Sequence, residues 1–177
     1  MKSARFALLV ALTTVSCALV RGRRGGGPES RPAGDEGMAL FTVGRLSFEA
    51  PAGWQVRGDR RHVVLVNPET EARIDARVLD QTFGSDSQCL AKAEKALARG
   101  DRKFQNIRRH PTTLAGRRAL IQEADQEGGW HGWAWAVCDA GEQYRISFTG
   151  HSPLDAEAMR ASRLLASSAA LSGRPGA

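Results

Sequence analysis

The 177-residue sequence has little of what enzymes and metalloproteins usually need. It contains neither a G-x-S-x-G nucleophile motif nor a glycine-rich phosphate loop followed by Lys-Ser or Lys-Thr. Its histidines lie in separate segments, without the i, i+4 spacing of a zinc-binding helix, at His62, His110, His131 and His151. We therefore expect no catalytic residue, no metal site and no cofactor.

The chain also lacks a block of basic residues. Its formal net charge is +6, but lysine is scarce, and the basic side chains are mostly arginines scattered among acidic residues. Nucleic-acid binding favours a continuous basic stripe with exposed aromatic side chains. We therefore expect no nucleic-acid partner and interpret the scattered charge as solvated surface.

No apolar run in the sequence has the roughly 20 residues that a membrane-spanning helix needs. The apolar run at residues 6–15 is much shorter; Lys2 and Arg5 precede it, and Cys17 follows it. A basic head, a short apolar run and small side chains are typical of an export signal. We therefore expect the chain to leave the cytoplasm.

Cys17 indicates how the exported chain is held. Residues 14–17 resemble the lipobox of bacterial lipoproteins, in which the cysteine is acylated, although Thr14 stands where these boxes usually carry Leu, Val or Ile. We expect Cys17 to be the lipid attachment site of a membrane-anchored lipoprotein of the bacterial cell envelope that faces the periplasm. An ordinary cleaved secretory peptide and an uncleaved signal anchor are the alternatives.

Composition divides the chain into four segments. The signal at residues 1–17 is followed by residues 18–38, which are rich in Arg, Gly, Pro and Glu and predict a flexible tether. Residues 39–171 have the length and the apolar content of a single domain. Residues 172–177 predict a disordered tail.

Hydrophobic periodicity predicts an α+β domain. Period two and turn-forming residues indicate strands at residues 43–48, 62–66, 72–79, 107–114, 119–125, 130–138 and 143–149. Helical periodicity indicates a helix at 87–99 and a second one from the N-cap Ser152 to about Leu171. Consecutive strands with short connections favour an antiparallel sheet. We therefore expect an antiparallel sheet of about six to seven strands with both helices packed on it.

The strand at 130–138 suggests a partner for one cysteine. Alternation places Cys138 on one face with Gly132, Ala134 and Ala136, and small side chains let a helix approach closely. If the first helix packs there, its Cys89 can meet Cys138, and an oxidising compartment would join them. We expect this disulfide, which leaves Cys17 for acylation; two separate buried thiols are the alternative.

The other face of the same strand carries His131, Trp133 and Trp135. Tryptophan is common at interfaces because it offers a large rigid area with a polar group. These three residues are our candidate binding surface. The alternative is that a helix covers both tryptophans and makes them part of the core.

Two short motifs resemble the PsbP-like and DcrB-like group of proteins. An early strand ends in Pro-Ala-Gly-Trp at 51–54, and the segment Thr-Leu-Ala-Gly-Arg-Arg-Ala at 113–119 is similar to a strand-glycine-strand turn of that group. The resemblance covers residues 43–171 and implies an α/β/α sandwich around an antiparallel sheet. Its bacterial members include lipoproteins and periplasmic proteins that bind or assist other proteins. The resemblance brings no catalytic motif.

These observations favour a lipid-anchored envelope protein that acts as a non-enzymatic binding or assembly module for another protein. A carrier of a small apolar ligand or lipid, in a pocket between sheet and helix, is the alternative. A hydrolase with paired carboxylates, such as Glu123 and Asp125, is the least favoured because an exposed strand edge explains the pair equally well. Exposure of Trp133 and Trp135 distinguishes the first two.

Overall fold

The computed structural model describes residues 30–32, 37–99 and 103–173. The predicted export signal and the lipid attachment site at Cys17 lie outside these residues. In chain order the elements are β1 (Ser30–Pro32), β2 (Met38–Val43), β3 (Leu46–Pro51), β4 (Gln55–Gly58), β5 (His62–Val66), β6 (Arg73–Thr82), α1 (Asp86–Arg99), β7 (Phe104–Leu114), β8 (Arg117–Gln126), β9 (Trp130–Asp139), β10 (Glu142–His151), α2 (Ala156–Ser167) and β11 (Ala170–Leu171).

Within the described residues, seven strands form a large sheet in the order β4-β5-β6-β10-β9-β8-β7. All neighbouring strands in it are antiparallel. β7 to β10 follow one another as hairpins because short turns that contain glycine join them. The pairing of β6 with β10 connects this meander to the β5–β6 hairpin. The predicted α+β class, with an antiparallel sheet and helices packed on it, is confirmed.

One face of the large sheet, called the covered face, packs against the smaller sheet β1-β2-β3-β11, and α2 packs on β3. Tyr144, Ile146 and Phe148 of β10 are fully buried there, and they share one core with Phe41 and Phe48 of the small sheet. Burial of one large apolar side chain contributes roughly 1.5–3 kcal/mol. The covered face also includes Val63, Leu65, Ile74, Ala76, Val78, Ala119, Ile121, Glu123, Asp125, His131, Trp133, Trp135 and Val137.

The opposite face, called the open face, has a different cover. Helix α1 packs on one end of it, against β8, β9 and β10, and buries Cys89, Ala93 and Leu97. In the part of the chain that the structure describes, no other helix packs on this face. Its residues include His62, Val64, Val66, Arg73, Asp75, Arg77, Leu120, Gln122, Ala124, Gln126, Trp130, Gly132, Ala134, Ala136, Cys138, Gln143, Arg145, Ser147, Thr149 and His151.

An ion-pair network links the small sheet to the end of the large one. Asp139 at the end of β9 is 7% exposed, and its carboxylate oxygens lie 2.7 Å from Nη2 of Arg45 and 2.9 Å from Nε of Arg117. Arg45 stands in the turn between β2 and β3, so this contact ties the two sheets together. A carboxylate buried to this extent needs such partners to offset its lost hydration.

The strand predicted at residues 43–48 is wrong, because Gly44 and Arg45 form a turn between β2 and β3. Gly44 has a φ of +58°, and a Cβ placed there would collide with the side chain of Val78. Val43 before the turn and Leu46 after it both face the core. The apolar alternation therefore continues through the turn and conceals it in the sequence.

The second helix also differs from its prediction. It begins at Ala156 with Asp155 as N-cap, and Oδ1 of Asp155 accepts a hydrogen bond of 2.7 Å from the backbone N–H of Ala158. Ser152 is therefore not the cap, because a second capping side chain lies three residues later. The helix ends at Ser167, and the following residues form β11 instead of continuing to Leu171.

Three short strands have no counterpart in the prediction. β1 lies inside the segment predicted to be a tether and pairs with β2. All four residues of β4 are exposed, and β11 has only two residues. Such strands depend on backbone pairing with a neighbour, so they leave no apolar alternation in the sequence.

Candidate functional site

Cys89 of α1 and Cys138 of β9 form a disulfide bond, with their Cα atoms 6.1 Å apart. The predicted pairing is confirmed. The bond fixes α1 over the end of β9 and so sets one boundary of the open face. Beyond this boundary the face is uncovered among the described residues.

The aromatic residues predicted to form a binding surface lie on the covered face. Trp135 is 6% exposed and belongs to the core. Trp133 is half-buried, with its ring centroid 6.0 Å from that of Phe148. His131 is half-buried at the end of the row, where its Nδ1 lies 2.6 Å from Oδ1 of Asp125. The contacts of the tryptophans favour a role in packing, and binding through His131, Trp133 and Trp135 stays a prediction.

Two arginines face each other on the open face. β6 and β10 pair so that Arg77 lies directly opposite Arg145. The Nε atoms of both side chains are shielded from solvent and have no hydrogen-bond partner. Like charges directly opposite each other destabilise a sheet, and an unpaired buried polar group costs about 1–3 kcal/mol. The pair of arginines therefore does not contribute to the stability of the sheet.

Asp75 lies close to Arg77, and three basic side chains share its carboxylate. Its carboxylate oxygens lie 2.9 Å from Nη2 of Arg73, 3.2 Å from Nε2 of His62 and 3.9 Å from Nε of Arg77. Burial lowers the pKa of Arg145, and the charge of Arg77 lowers it further, while Asp75 raises it. We call Arg73, Arg77, Arg145 and Asp75 the arginine cluster; with three positive charges and one negative charge, it carries excess positive charge.

A depression of about 100 Å³ adjoins the arginine cluster. Arg145, Ser147 and Thr149 of β10 line one side of it. Gly132 and Ala134 of β9 also line it. A Cβ at Gly132 would collide with the backbone oxygen of Phe148, so this glycine allows a close approach of β10. The short side chain of Ala134 leaves space in the depression. The depression therefore combines a positive charge, hydroxyl groups and room for one small group of a ligand.

A second depression of about 380 Å³ continues from the first and shares Gln126 and Thr149 with it. Glu71, Arg73 and Trp130 also line this depression, and the Trp130 ring centroid lies 3.8 Å from that of His151. The two depressions form one continuous trough on the open face. Among the described residues, the smaller depression is lined by Arg145 and by no acidic side chain, whereas the wider one carries Glu71 beside Arg73 and is partly apolar at Trp130.

The side chains that line the trough are suited to binding a ligand or a partner. Guanidinium groups and hydroxyls donate hydrogen bonds, and the indole ring of Trp130 offers a flat apolar surface. In residues 37–99 and 103–173, no three side chains of His, Cys, Asp or Glu converge to hold a metal ion. None of the helices in the described residues is long and apolar enough to cross a membrane.

Local sequence patterns do not reveal the arginine cluster. Alternation in residues 143–149 shows that Arg145 and Tyr144 face opposite sides of a strand, and residues 73–77 alternate in the same way. These patterns are local, whereas the meeting of Arg77 with Arg145 depends on the pairing of two distant strands. The sequence offers one local indication of the cluster, which is the repeat of arginine on one face of the strand at residues 73–77.

Comparison with solved structures supports the fold. A cyanobacterial PsbP (CyanoP) from Synechocystis sp. matches 89% of this chain and 98% of its own, with 14% identity and a TM-score of 0.52. A Bacteroides thetaiotaomicron protein matches with 11% identity and a TM-score of 0.51. That match covers 75% of this chain and 47% of the other, so the chain spans about half the length of the Bacteroides protein.

LpqN of Mycobacterium tuberculosis, described as involved in cell envelope biogenesis, matches 85% of this chain and 94% of its own, with 17% identity and a TM-score of 0.49. No protein-family model matches the chain. No curated protein matches it by sequence. At such identities the likeness concerns the fold alone, and this fold is PsbP-like, as the resemblance predicted.

Proposed function

We propose that the protein is an exported, non-enzymatic binding module of the bacterial cell envelope, anchored to a membrane through Cys17, that binds another protein through the trough. The single observation that supports this most is the open face itself. Its strands are held by a fully packed covered face, yet they present a recessed, positively charged and partly aromatic surface to solvent. Such a surface on a rigid scaffold is suited to recognition.

Rigidity supports the same function. The disulfide holds α1 at one end of the trough, and the ion pairs of Asp139 hold the small sheet against the end of the large one. A preformed site loses little conformational entropy when a partner binds. Binding to a partner at the membrane also gains from the anchor, because a tether raises the local concentration.

The test is photo-crosslinking of the full chain in living bacteria. A photoreactive residue replaces Thr149 in the trough, and in a matched control it replaces Arg163, an exposed residue of α2. We expect one discrete protein adduct in the membrane fraction from position 149 and no such adduct from position 163. In the Cys17→Ser variant the protein should move to the soluble fraction, and the adduct should weaken.

Two results would contradict the proposal. Equal crosslinking from both positions would mean that the trough has no special role. Retention of the Cys17→Ser protein in the membrane fraction would show that the protein is not held at the membrane by a lipid on Cys17.

A further inference from the structure

We propose that the trough recognises an acidic segment of its partner, with an Asp or Glu carboxylate seated beside Arg145 in the smaller depression and an apolar side chain over Trp130. This inference rests on the proposed function and names the chemistry of the partner. It follows from the charge, the burial and the shape of the trough.

The charge of the smaller depression favours an anion, because Arg145 lines it and Glu71 lies in the wider depression. The arginine cluster holds three guanidinium groups and one carboxylate, and Asp75 is already shared by Arg73 and His62. Arg145 has no hydrogen-bond partner for its Nε, and the like charge of Arg77 lies directly opposite it. A second carboxylate supplied by a partner would balance this excess. Arginine pairs well with carboxylates because its planar group matches their two oxygens.

The burial of the site favours a protruding group. Ala134 and Gln122, which line the smaller depression with Arg145, are 8% and 4% exposed. The flat surface of a bilayer would meet the rim of such a depression, whereas a side chain from a protein segment can enter it. A volume of about 100 Å³ suits one carboxylate-bearing side-chain end.

The shape of the trough favours an extended segment. The smaller depression opens into the wider one along the direction of β10, through Thr149, which lines both. Alternate side chains of an extended chain point to the same side. One such side chain can therefore reach Arg145, while a later one on the same side covers Trp130.

The experiment uses the full chain labelled with ¹⁵N and the peptide acetyl-Glu-Thr-Val-Thr-Val-amide, in which Glu and both Val side chains share one face when extended. The matched peptide has Gln in place of Glu. We expect the acidic peptide to shift the backbone amide signals of Gly132, Ala134 and Thr149 in a saturable way. The Gln peptide should bind about tenfold more weakly or worse, since a charge-assisted hydrogen bond is lost.

Three variants locate the effect. Arg145→Met should weaken binding of the acidic peptide by about tenfold or more, and Arg145→Lys should restore part of it because the charge returns without the planar group. Arg163→Met, on the exposed surface of α2, should bind as the parent does. An unchanged pattern of amide signals away from the trough shows that each variant is folded.

Several results would overturn the inference. These are equal binding of the two peptides, no binding of the acidic peptide, or unchanged binding by Arg145→Met. Inorganic phosphate or phosphatidylglycerol vesicles that shift the same amide signals more strongly than the peptide would assign the site to phosphate groups. If the inference fails while crosslinking at position 149 persists, the proposed function stands with a different partner chemistry; if crosslinking also fails, both fail.

Discussion

The covered and open faces of the large sheet belong to the same strands but differ in almost every property. In β10, Tyr144, Ile146 and Phe148 on the covered face are fully buried, while Arg145 and Ser147 between them are only half-buried. The covered face is filled with apolar groups. On the open face Asp75 pairs with Arg73, whereas Arg77 and Arg145 lie directly opposite each other.

This difference separates stability from recognition. Stability comes mainly from apolar area removed from water, and the covered face supplies most of it. The open face can therefore keep an unfavourable pair such as Arg77 and Arg145 without loss of the fold. A protein that retains a costly arrangement on a rigid scaffold commonly does so for function.

Two tryptophans of one strand test this difference most strongly. Trp135 lies in the core of the covered face, and the Trp130 ring contacts His151 at the open face with the two rings tilted by 37°. We expect Trp135→Ala to lower the free energy of unfolding by about 3–5 kcal/mol. Trp130→Ala should lower it by about 1–2 kcal/mol, because its ring makes fewer contacts in the domain.

Urea unfolding of the full chain, followed by circular dichroism, measures both losses. Each is compared with the parent protein under the same conditions. If the two substitutions cost the same, the faces do not divide stability as we argue.

The disulfide is a second difference between the two faces, because it holds α1 on the open face, whereas apolar packing holds the small sheet on the covered face. Only Cys89, Ala93 and Leu97 of α1 are buried, so this helix has a small apolar contact with the open face. The bond closes a loop between residues 49 positions apart, and the chain-entropy model gives a contribution of about 4 kcal/mol for such a loop. We expect the Cys89→Ala, Cys138→Ala double variant to lose about 3 kcal/mol, allowing for relaxation.

Hydrogen exchange locates this loss. The amides of α1 should exchange much faster in the double variant, while those of β6 and β10 keep most of their protection. The parent protein treated with a thiol reductant should behave like the variant. Uniform loss of protection in the sheet would show that α1 is as much a part of the core as the small sheet.

The sequence predicted which face of a strand each residue occupies better than it predicted which strands pair with each other. Alternation in residues 130–138 placed Trp135 and Cys138 on opposite sides correctly, because the two-residue period of a strand is a local property. It also led to the Cys89–Cys138 bond. The pairing of β6 with β10, by contrast, joins segments far apart in the chain, and no local pattern specifies it. The arginine cluster depends on this pairing, and so the sequence did not indicate it.

Local ambiguity accounts for the remaining errors. Both Ser152 and Asp155 are good capping residues, and the structure uses Asp155, whose side chain reaches the N–H of Ala158. Val43 and Leu46 keep their alternation across a two-residue turn, which hides the hairpin. In each case two local solutions have similar energies, and tertiary packing selects one of them.

The smallest expected effect concerns Arg145, and its sign matters more than its size. Burial lowers the pKa of this guanidinium, and the charge of Arg77 lowers it further, so the fold opposes the charged form. The Nε of half-buried Arg145 is shielded from solvent, and replacing ionic groups that have lost their hydration with apolar groups of similar volume is often neutral or stabilising. We expect Arg145→Met to raise the free energy of unfolding by about 0.5–1 kcal/mol, measured by urea unfolding of the full chain.

Arg45→Met is the matched control because it makes the same substitution in an arginine with a clear structural role. Arg45 lies 2.7 Å from the buried carboxylate of Asp139, so its loss leaves that carboxylate with Arg117 alone and should cost about 2 kcal/mol. Opposite signs for the two variants would separate an arginine kept for folding from one kept for binding. The contrary result is that Arg145→Met lowers the free energy of unfolding as much as Arg45→Met does. That result would mean that Arg145 is kept for stability, and it would contradict our interpretation of the trough as a binding site.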